Sequence, residues 1–191
     1  MKKTLKVFNG LPVPENDGAC DHLKGLKIPK LKIISTSDRV IDLGSEHGLT
    51  VIYFYPKIGD PNSDPLIGWS DIPGAKGCTP QSCEYRDHYS ELKTIGVLNL
   101  FGASSQDLKE QKEASNRLHL PFELLNDSEL KLAKLLKLPT FTYQGKELIK
   151  RLTIIIYNAE IIKVFYPVFP PNENASQVIE WIKENKLNEQ S

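Results

Sequence analysis

The chain has 191 residues, 40% of them apolar and 25% charged, with 24 Lys+Arg balanced by 24 Asp+Glu. That is the composition of an ordinary soluble domain with enough chain to bury a full core, and the cancelled charge leaves no global field to favour nucleic acid, an anionic membrane or an acidic substrate. No run approaches the roughly 18 apolar residues of a membrane span, and the basic start Met1-Lys2-Lys3 is followed by no apolar stretch of signal-peptide length, so a cytoplasmic protein is the default expectation.

Residues 1–25 carry Gly10, Pro12, Pro14 and Gly18 without a clear period and read as an arm. "LKIISTSDRVIDL" (31–43) reads as a β-hairpin, and "TVIYFYP" (50–56) as a buried strand. The 21 residues from 57 to 77 are rich in Gly, Pro, Asp and Ser; an insertion loop of this length tends to be functional or mobile. A helix is predicted from Thr79 as N-cap, with Pro80 at the first helical position and Tyr85, Tyr89, Leu92 and Gly96 following at helical spacing. "VLNLFGAS" (97–104) is a second buried strand, 106–118 a polar helix, "FELLND" (122–127) a short strand and "SELKLAKLLK" (128–137) a helix. "RLTIIIY" (151–157) and "EIIKVFY" (160–166) flank a tight turn at Asn158-Ala159, and a helix over 174–187 presents Ala175, Val178, Ile179 and Ile182 on one face before a short tail, 188–191. A parallel crossover followed by an antiparallel hairpin gives an α/β fold with a mixed central sheet and helices on both faces. This is a thioredoxin-like plan with an N-terminal β-hairpin extension.

Three cysteines make a poor disulfide framework, and in a reducing compartment closely spaced cysteines more often do chemistry or bind metal. Cys78 sits where a glycine-bearing loop meets a helix start, a place that favours an anion, so its thiol is a candidate nucleophile. Gly74 and Gly77 let backbone donors approach the sulfur. Cys83 follows five residues later in the same helix, which sets the two Cα atoms roughly 8–9 Å apart; a disulfide needs less than about 7 Å. The pair therefore bridges only if the helix start unwinds. Cys83 also suits a small buried hydrophobe. A zinc site with His88 is disfavoured by the five-residue spacing and by the lack of a second ligand pair. Cys20, alone in the polar arm, reads as an incidental thiol.

Together "VIYFYPK", "GCTPQSCEYRDHYSEL", "GASSQD", "RLHLPFELLND" and "KRLTIIIYNAEIIKVFYP" resemble the peroxiredoxins, above all their Q-type branch, the bacterioferritin-comigratory proteins. The likeness runs in order over about residues 26–187. It implies that Cys78 is the peroxidatic cysteine, oxidised by a hydroperoxide to a sulfenic acid, and Cys83 the resolving one, closing an intramolecular disulfide. Arg151 matches the arginine that stabilises thiolate and peroxide, while Gly77 and Thr79 border the substrate. The resemblance implies no metal, flavin or haem, a dithiol reductant of thioredoxin or glutaredoxin type, and a monomer or homodimer. One departure stands out: where the family pattern has a proline seven residues, and a threonine or serine three residues, before the peroxidatic cysteine, this chain has Asp71 and Ala75. Two other activities fit the same plan. A thiol–disulfide oxidoreductase would want a Cys-x-x-Cys that is lacking; a redox sensor would signal through the 57–77 loop, where Ile67 and Trp69 lie.

Overall fold

The computed structural model describes residues 8–185; the first seven residues of the arm and the expected tail at 188–191 lie outside the described residues, and the last helix, expected over 174–187, ends at Glu184. The strands and helices follow the order β1 (Lys32–Ile34), β2 (Val40–Asp42), β3 (Leu49–Phe54), α1 (Cys78–Asp87), α2 (Tyr89–Thr94), β4 (Val97–Ser104), α3 (Leu108–Arg117), β5 (Glu123–Asn126), α4 (Lys131–Leu135), β6 (Thr140–Tyr143), β7 (Lys146–Ile149), β8 (Leu152–Tyr157), β9 (Glu160–Phe165) and α5 (Asn174–Glu184).

The central sheet has five strands in the order β5-β4-β3-β8-β9. β3, β4 and β5 are parallel, and β8 and β9 return antiparallel, with Val51 opposite Ile155 and Ile154 opposite Val164. The sheet is mixed, as expected. Every residue of β3 is buried, because apolar layers cover both faces; this is why, Thr50 apart, its sequence is apolar or aromatic rather than alternating. On one face Val51 and Tyr53 meet α1, α2, α3 and α5 through Tyr85, Leu92, Ala114 and Val178. On the other, Ile52 and Phe54 meet α4 and the N-terminal stretch through Leu132, Leu23 and Ile33.

Several local expectations shift. α1 starts at Cys78, not after Thr79: its N-cap is Gly77 in the left-handed region, which places Pro80 at the third helical position. The long helix read over 79–96 breaks at His88 into α1 and α2. The polar helix starts at Leu108 because Asp107 caps it, its carboxylate accepting the Glu110 N–H at 2.8 Å. A β6–β7 hairpin over 140–149 was not anticipated. The 57–77 loop contains a helical turn at Trp69–Asp71, and Trp69 is buried edge-on to Tyr143 of that hairpin, 4.9 Å between ring centres.

The arm is not detached. Leu23 is fully buried and Cys20 nearly so, and burial pushes the Cys20 thiol up to about 12, which keeps it protonated and inert.

Candidate active site

The loop enters α1 at Gly77, whose φ is 111°. A Cβ there would lie 2.3 Å from Pro171 Cγ and 3.1 Å from Phe8 Cε1, so neither the backbone nor the space admits a side chain. Cys78 thereby becomes the first helical residue, with its thiol buried at the positive end of a ten-residue helix.

Arg151 reaches the sulfur from the sheet. It stands one residue before β8, is 4% exposed, and brings Nη2 to 3.2 Å from Cys78 Sγ. Its Nε and Nη2 donate to the Gly74 carbonyl at 3.3 and 3.2 Å, and Nη2 also reaches the carbonyls of Ala75 at 3.1 Å and Lys76 at 3.4 Å. Nη1 donates to Gln81 Oε1. These partners are three carbonyls, one amide oxygen and the sulfur, with no carboxylate among them. A buried cation demands compensation. The carbonyl dipoles supply part of it, and Cys78, as thiolate, is the one partner able to supply a full charge.

A second ring of residues holds the first. Gln81 Nε2 donates to Asn174 Oδ1 at 3.0 Å, and the same oxygen accepts from the hydroxyls of Tyr85 and Thr153, each at 2.7 Å. One buried amide oxygen thus ties α1, β8 and α5 together behind Arg151. Tyr85 stacks on Tyr53 with ring centres 4.4 Å apart, and Tyr53 donates to Ser82 at 3.0 Å. Burial raises both phenols, so they stay neutral donors. Sequence reasoning missed Gln81 and Asn174. Gln81, three residues after Cys78, shares its helix face and so carried a signal; Asn174 carried none.

Cys83 lies half-buried at the rim of the apolar cluster under the same intact helix, and all three cysteines are free thiols. Thr79 is half-buried; the hydrogen-bond partners of the Cys78 sulfur are Arg151 and the Ala75 carbonyl, the latter at 3.5 Å. Ala75 is fully buried in the small cluster around Trp69, and Asp71 is exposed on the turn above it. Among the described residues no group of three or more His, Cys, Asp or Glu could hold a metal ion; His88 faces Glu91, 3.1 Å away. Among them too, no helix is long and apolar enough to cross a membrane.

Several proteins are similar to this chain in sequence or in structure. The peroxiredoxin Q of rice chloroplasts (Oryza sativa) is 31% identical over 112 residues, which is 58% of this chain and 44% of that protein, so the match spans under half of the relative's length. A putative peroxiredoxin bcp of Haemophilus influenzae is 26% identical over 166 residues, covering 83% of this chain and 95% of that one. Among solved structures, peroxidoxin BcpB of Mycobacterium tuberculosis superposes with a TM-score of 0.67 at 20% identity, covering 85% of this chain and 98% of that one. The bacterioferritin comigratory protein of Xanthomonas campestris gives 0.65 at 19%, covering 93% and 98%. These superpositions agree with the thioredoxin-like fold expected from the order of elements. The profile of the redoxin family matches residues 23–179, most of the chain and all of the residues gathered around Cys78 from Gly74 to Asn174, and the chain belongs to that family.

Proposed function

We propose that the chain is a thiol peroxidase in which Cys78 attacks a hydroperoxide and Cys83 resolves the product. The observation that carries this reading is the buried contact of 3.2 Å between Arg151 Nη2 and Cys78 Sγ, a fixed cation on a thiol at a helix start.

The chemistry runs in three steps. The Cys78 thiolate attacks the terminal oxygen of R–O–O–H; the O–O bond breaks, sulfur is oxidised to the sulfenic acid, and RO⁻ leaves and takes up a proton as water or alcohol. The Arg151 guanidinium stabilises charge on sulfur and on the oxygens as the bond parts. The Cys83 thiol then attacks the sulfenic sulfur, water leaves, and a Cys78–Cys83 disulfide forms. An external dithiol, of thioredoxin or glutaredoxin type, reduces it by exchange. No cofactor is needed for any of these steps. Gly77 and Thr79 border the attack position, Gly77 by admitting the backbone close to sulfur. A reducing, cytoplasmic setting suits a protein whose working form is the dithiol.

Cys83 cannot reach Cys78 while α1 is intact, so resolution needs the first turns of α1 to open. That opening breaks the Gln81 bonds to Arg151 and Asn174 and releases the arginine from the sulfur, which links the two half-reactions to two conformations of one helix.

The test is stopped-flow oxidation of the reduced chain by H2O2, with products read by intact mass. Wild type should end as the Cys78–Cys83 disulfide. Cys78→Ser should show no peroxide-dependent step, and Cys83→Ser should make the sulfenic acid at an undiminished rate, fail to turn over with dithiol and over-oxidise. A Cys83→Ser chain that loses the first step would reverse the two roles.

A further inference from the structure

Arg151 fixes the direction of the hydrogen bonds behind it. A guanidinium has only donors, so the Gln81 carboxamide must turn its oxygen to Arg151 Nη1 and its NH2 group to Asn174. That NH2 group needs an acceptor, which sets the Asn174 oxygen toward it at 3.0 Å. The Tyr85 and Thr153 hydroxyls donate to the same oxygen, each at 2.7 Å. A relay thus runs from the Cys78 sulfur through Arg151 and Gln81 to Asn174, the first residue of α5, and both amides are fully buried.

One atom is left over. Asn174 Nδ2 is buried and has no hydrogen-bond partner among the described residues, a cost to the fold. A carboxylate at this position would accept the same three bonds, leave no orphan donor and sit at a helix start that favours negative charge. Stability alone therefore points to a carboxylate, and the amide needs another reason. Charge supplies it. Among the described hydrogen-bond partners of the Arg151 side chain, Cys78 is the only one able to become an anion. A carboxylate one residue behind Gln81 would draw on the same guanidinium and disfavour the thiolate.

The titratable neighbours supply no such charge. Tyr53 and Tyr55 of β3 and Tyr85 of α1 share the buried cluster with Cys78, and burial raises all three phenols, so they stay neutral. Glu84 holds the Ala175 and Ser176 N–H groups, His88 lies 3.5 Å from Ser176 Oγ, and Lys150 pairs with Asp17. Cys83 and Glu173 are half-buried and Lys76 is exposed.

We propose that Asn174 is a positioning residue for peroxide attack: through Gln81 it holds the Arg151 guanidinium, and as a neutral acceptor it reserves that cation for the Cys78 sulfur and the departing oxygen. This rests on the peroxidase reading above.

The test follows alkylation of Cys78 by iodoacetamide against pH, located by peptide mass, and the second-order rate of oxidation by H2O2, in wild type, Asn174→Asp and Asn174→Ala. Asn174→Asp keeps the three bonds and adds one charge. It should unfold at higher urea than Asn174→Ala, and its alkylation midpoint should lie about one pH unit above that of wild type, since a nearby negative charge opposes the thiolate. Its oxidation rate on the alkaline plateau should fall about tenfold, because a shared guanidinium stabilises the parting oxygens less. Asn174→Ala removes the oxygen without adding charge; its oxidation rate should fall several-fold, with less than half the midpoint shift. A merely structural asparagine would tolerate Asn174→Asp with midpoint and rate both unmoved, and that result overturns the role. So does a wild-type oxidation rate in Asn174→Ala. An Asn174→Asp chain that fails to fold, or is less stable than Asn174→Ala, overturns it too, because the amide then serves the fold. Alkylation consumes no peroxide. If wild type reduces no peroxide while the midpoint moves as expected, the relay stands and the peroxidase reading falls; if wild type reduces peroxide and the midpoint stays, the relay falls alone.

Discussion

A guanidinium suits the Cys78 sulfur better than an ammonium would, because it contacts sulfur through one nitrogen while its other donors stay fixed on Gly74 and Gln81. A lysine at 151 would carry the charge on a flexible stem without the fork. Arg151→Lys should therefore behave almost like Arg151→Ala, each slowing peroxide attack by about 10²- to 10³-fold, the size of effect seen when a preorganised charge-stabilising donor is removed; a near-wild-type rate for Arg151→Lys would show that charge alone suffices. Gly77 makes a separate demand at the same site. Its φ of 111° and the Pro171 ring 2.3 Å from a would-be Cβ mean that Gly77→Ala must strain the backbone and displace the 171 turn together. At least about 2 kcal/mol of stability should be lost, read by urea unfolding, together with a slower first oxidation because Cys78 is the next residue. A variant as stable as wild type would mean that the turn at 171 yields freely. Gly77 was legible as a loop glycine before a helix, but its role as cap was not. Thr79 has the better capping side chain, and only the closeness of Phe8 and Pro171 on the other side decides for the glycine.

At the scale of elements, the proposed cycle needs α1 stable enough to hold Cys78 against Arg151 and weak enough to open for Cys83. Its far end is tethered: Glu84, next to Cys83, accepts from the backbone N–H groups of Ala175 at 2.8 Å and Ser176 at 3.1 Å and from the Ser176 hydroxyl at 2.9 Å. A carboxylate on those N–H groups caps α5 and is favoured by its dipole, so α1 is pinned one residue beyond the segment that unwinds in the proposed cycle. Glu84→Ala should destabilise the fold by about 1–2 kcal/mol yet speed disulfide closure by up to about tenfold, the rate equivalent of about 1.4 kcal/mol, with less over-oxidation at high peroxide. Quenched-flow mass spectrometry of the sulfenic acid would check this, and slower closure would mean that Glu84 steers Cys83 instead of restraining it. The elements themselves were unevenly legible. β3, β4 and β8 announced themselves because burial on both faces makes them mainly apolar, β-branched and aromatic, with Thr50, Ser104 and Thr153 as the buried polar exceptions. The β6–β7 hairpin did not, since "TFTY" and "KELI" are only four residues each, and only Leu148 and Ile149 among them are buried. The Gln144-Gly145 turn, with φ of 48° and 76°, was a hairpin signal passed over. The break of the long helix at His88 left no mark in the apolar spacing, which continues through it.

Across the whole molecule, the N-terminal stretch does more than an arm of unclear period suggested. Along one edge of the central sheet Gly25 donates to the Ile161 carbonyl at 2.7 Å, Ile161 to Leu26 at 3.0 Å and Ile28 to Ala159 at 2.8 Å, which covers the start of β9. The chain then crosses the sheet face and reaches the opposite edge, where Thr36 donates to the Leu124 carbonyl at 2.9 Å and Ser35 bridges Leu125. Both margins of the five-stranded sheet are thus occupied by the same dozen residues. Pattern reading could not see this, because such contacts are set by where the sheet ends and not by any period in the segment that meets it. Unpaired strand edges are the usual templates for self-association, and here neither is free along its covered length. Among the described residues the large apolar side chains left exposed are spread over several elements: Val13 in the arm, Ile34 and Val40 paired in the β1–β2 hairpin, Ile67 in the inserted loop, Leu98 in β4 and Leu135 in α4. The chain should therefore sediment as a monomer in its reduced form, and a version beginning at residue 29 should self-associate as β9 loses its cover. A full-length dimer whose β9 amides gain exchange protection on association would show that this edge is open after all, and the role assigned to residues 25–28 would have to be withdrawn.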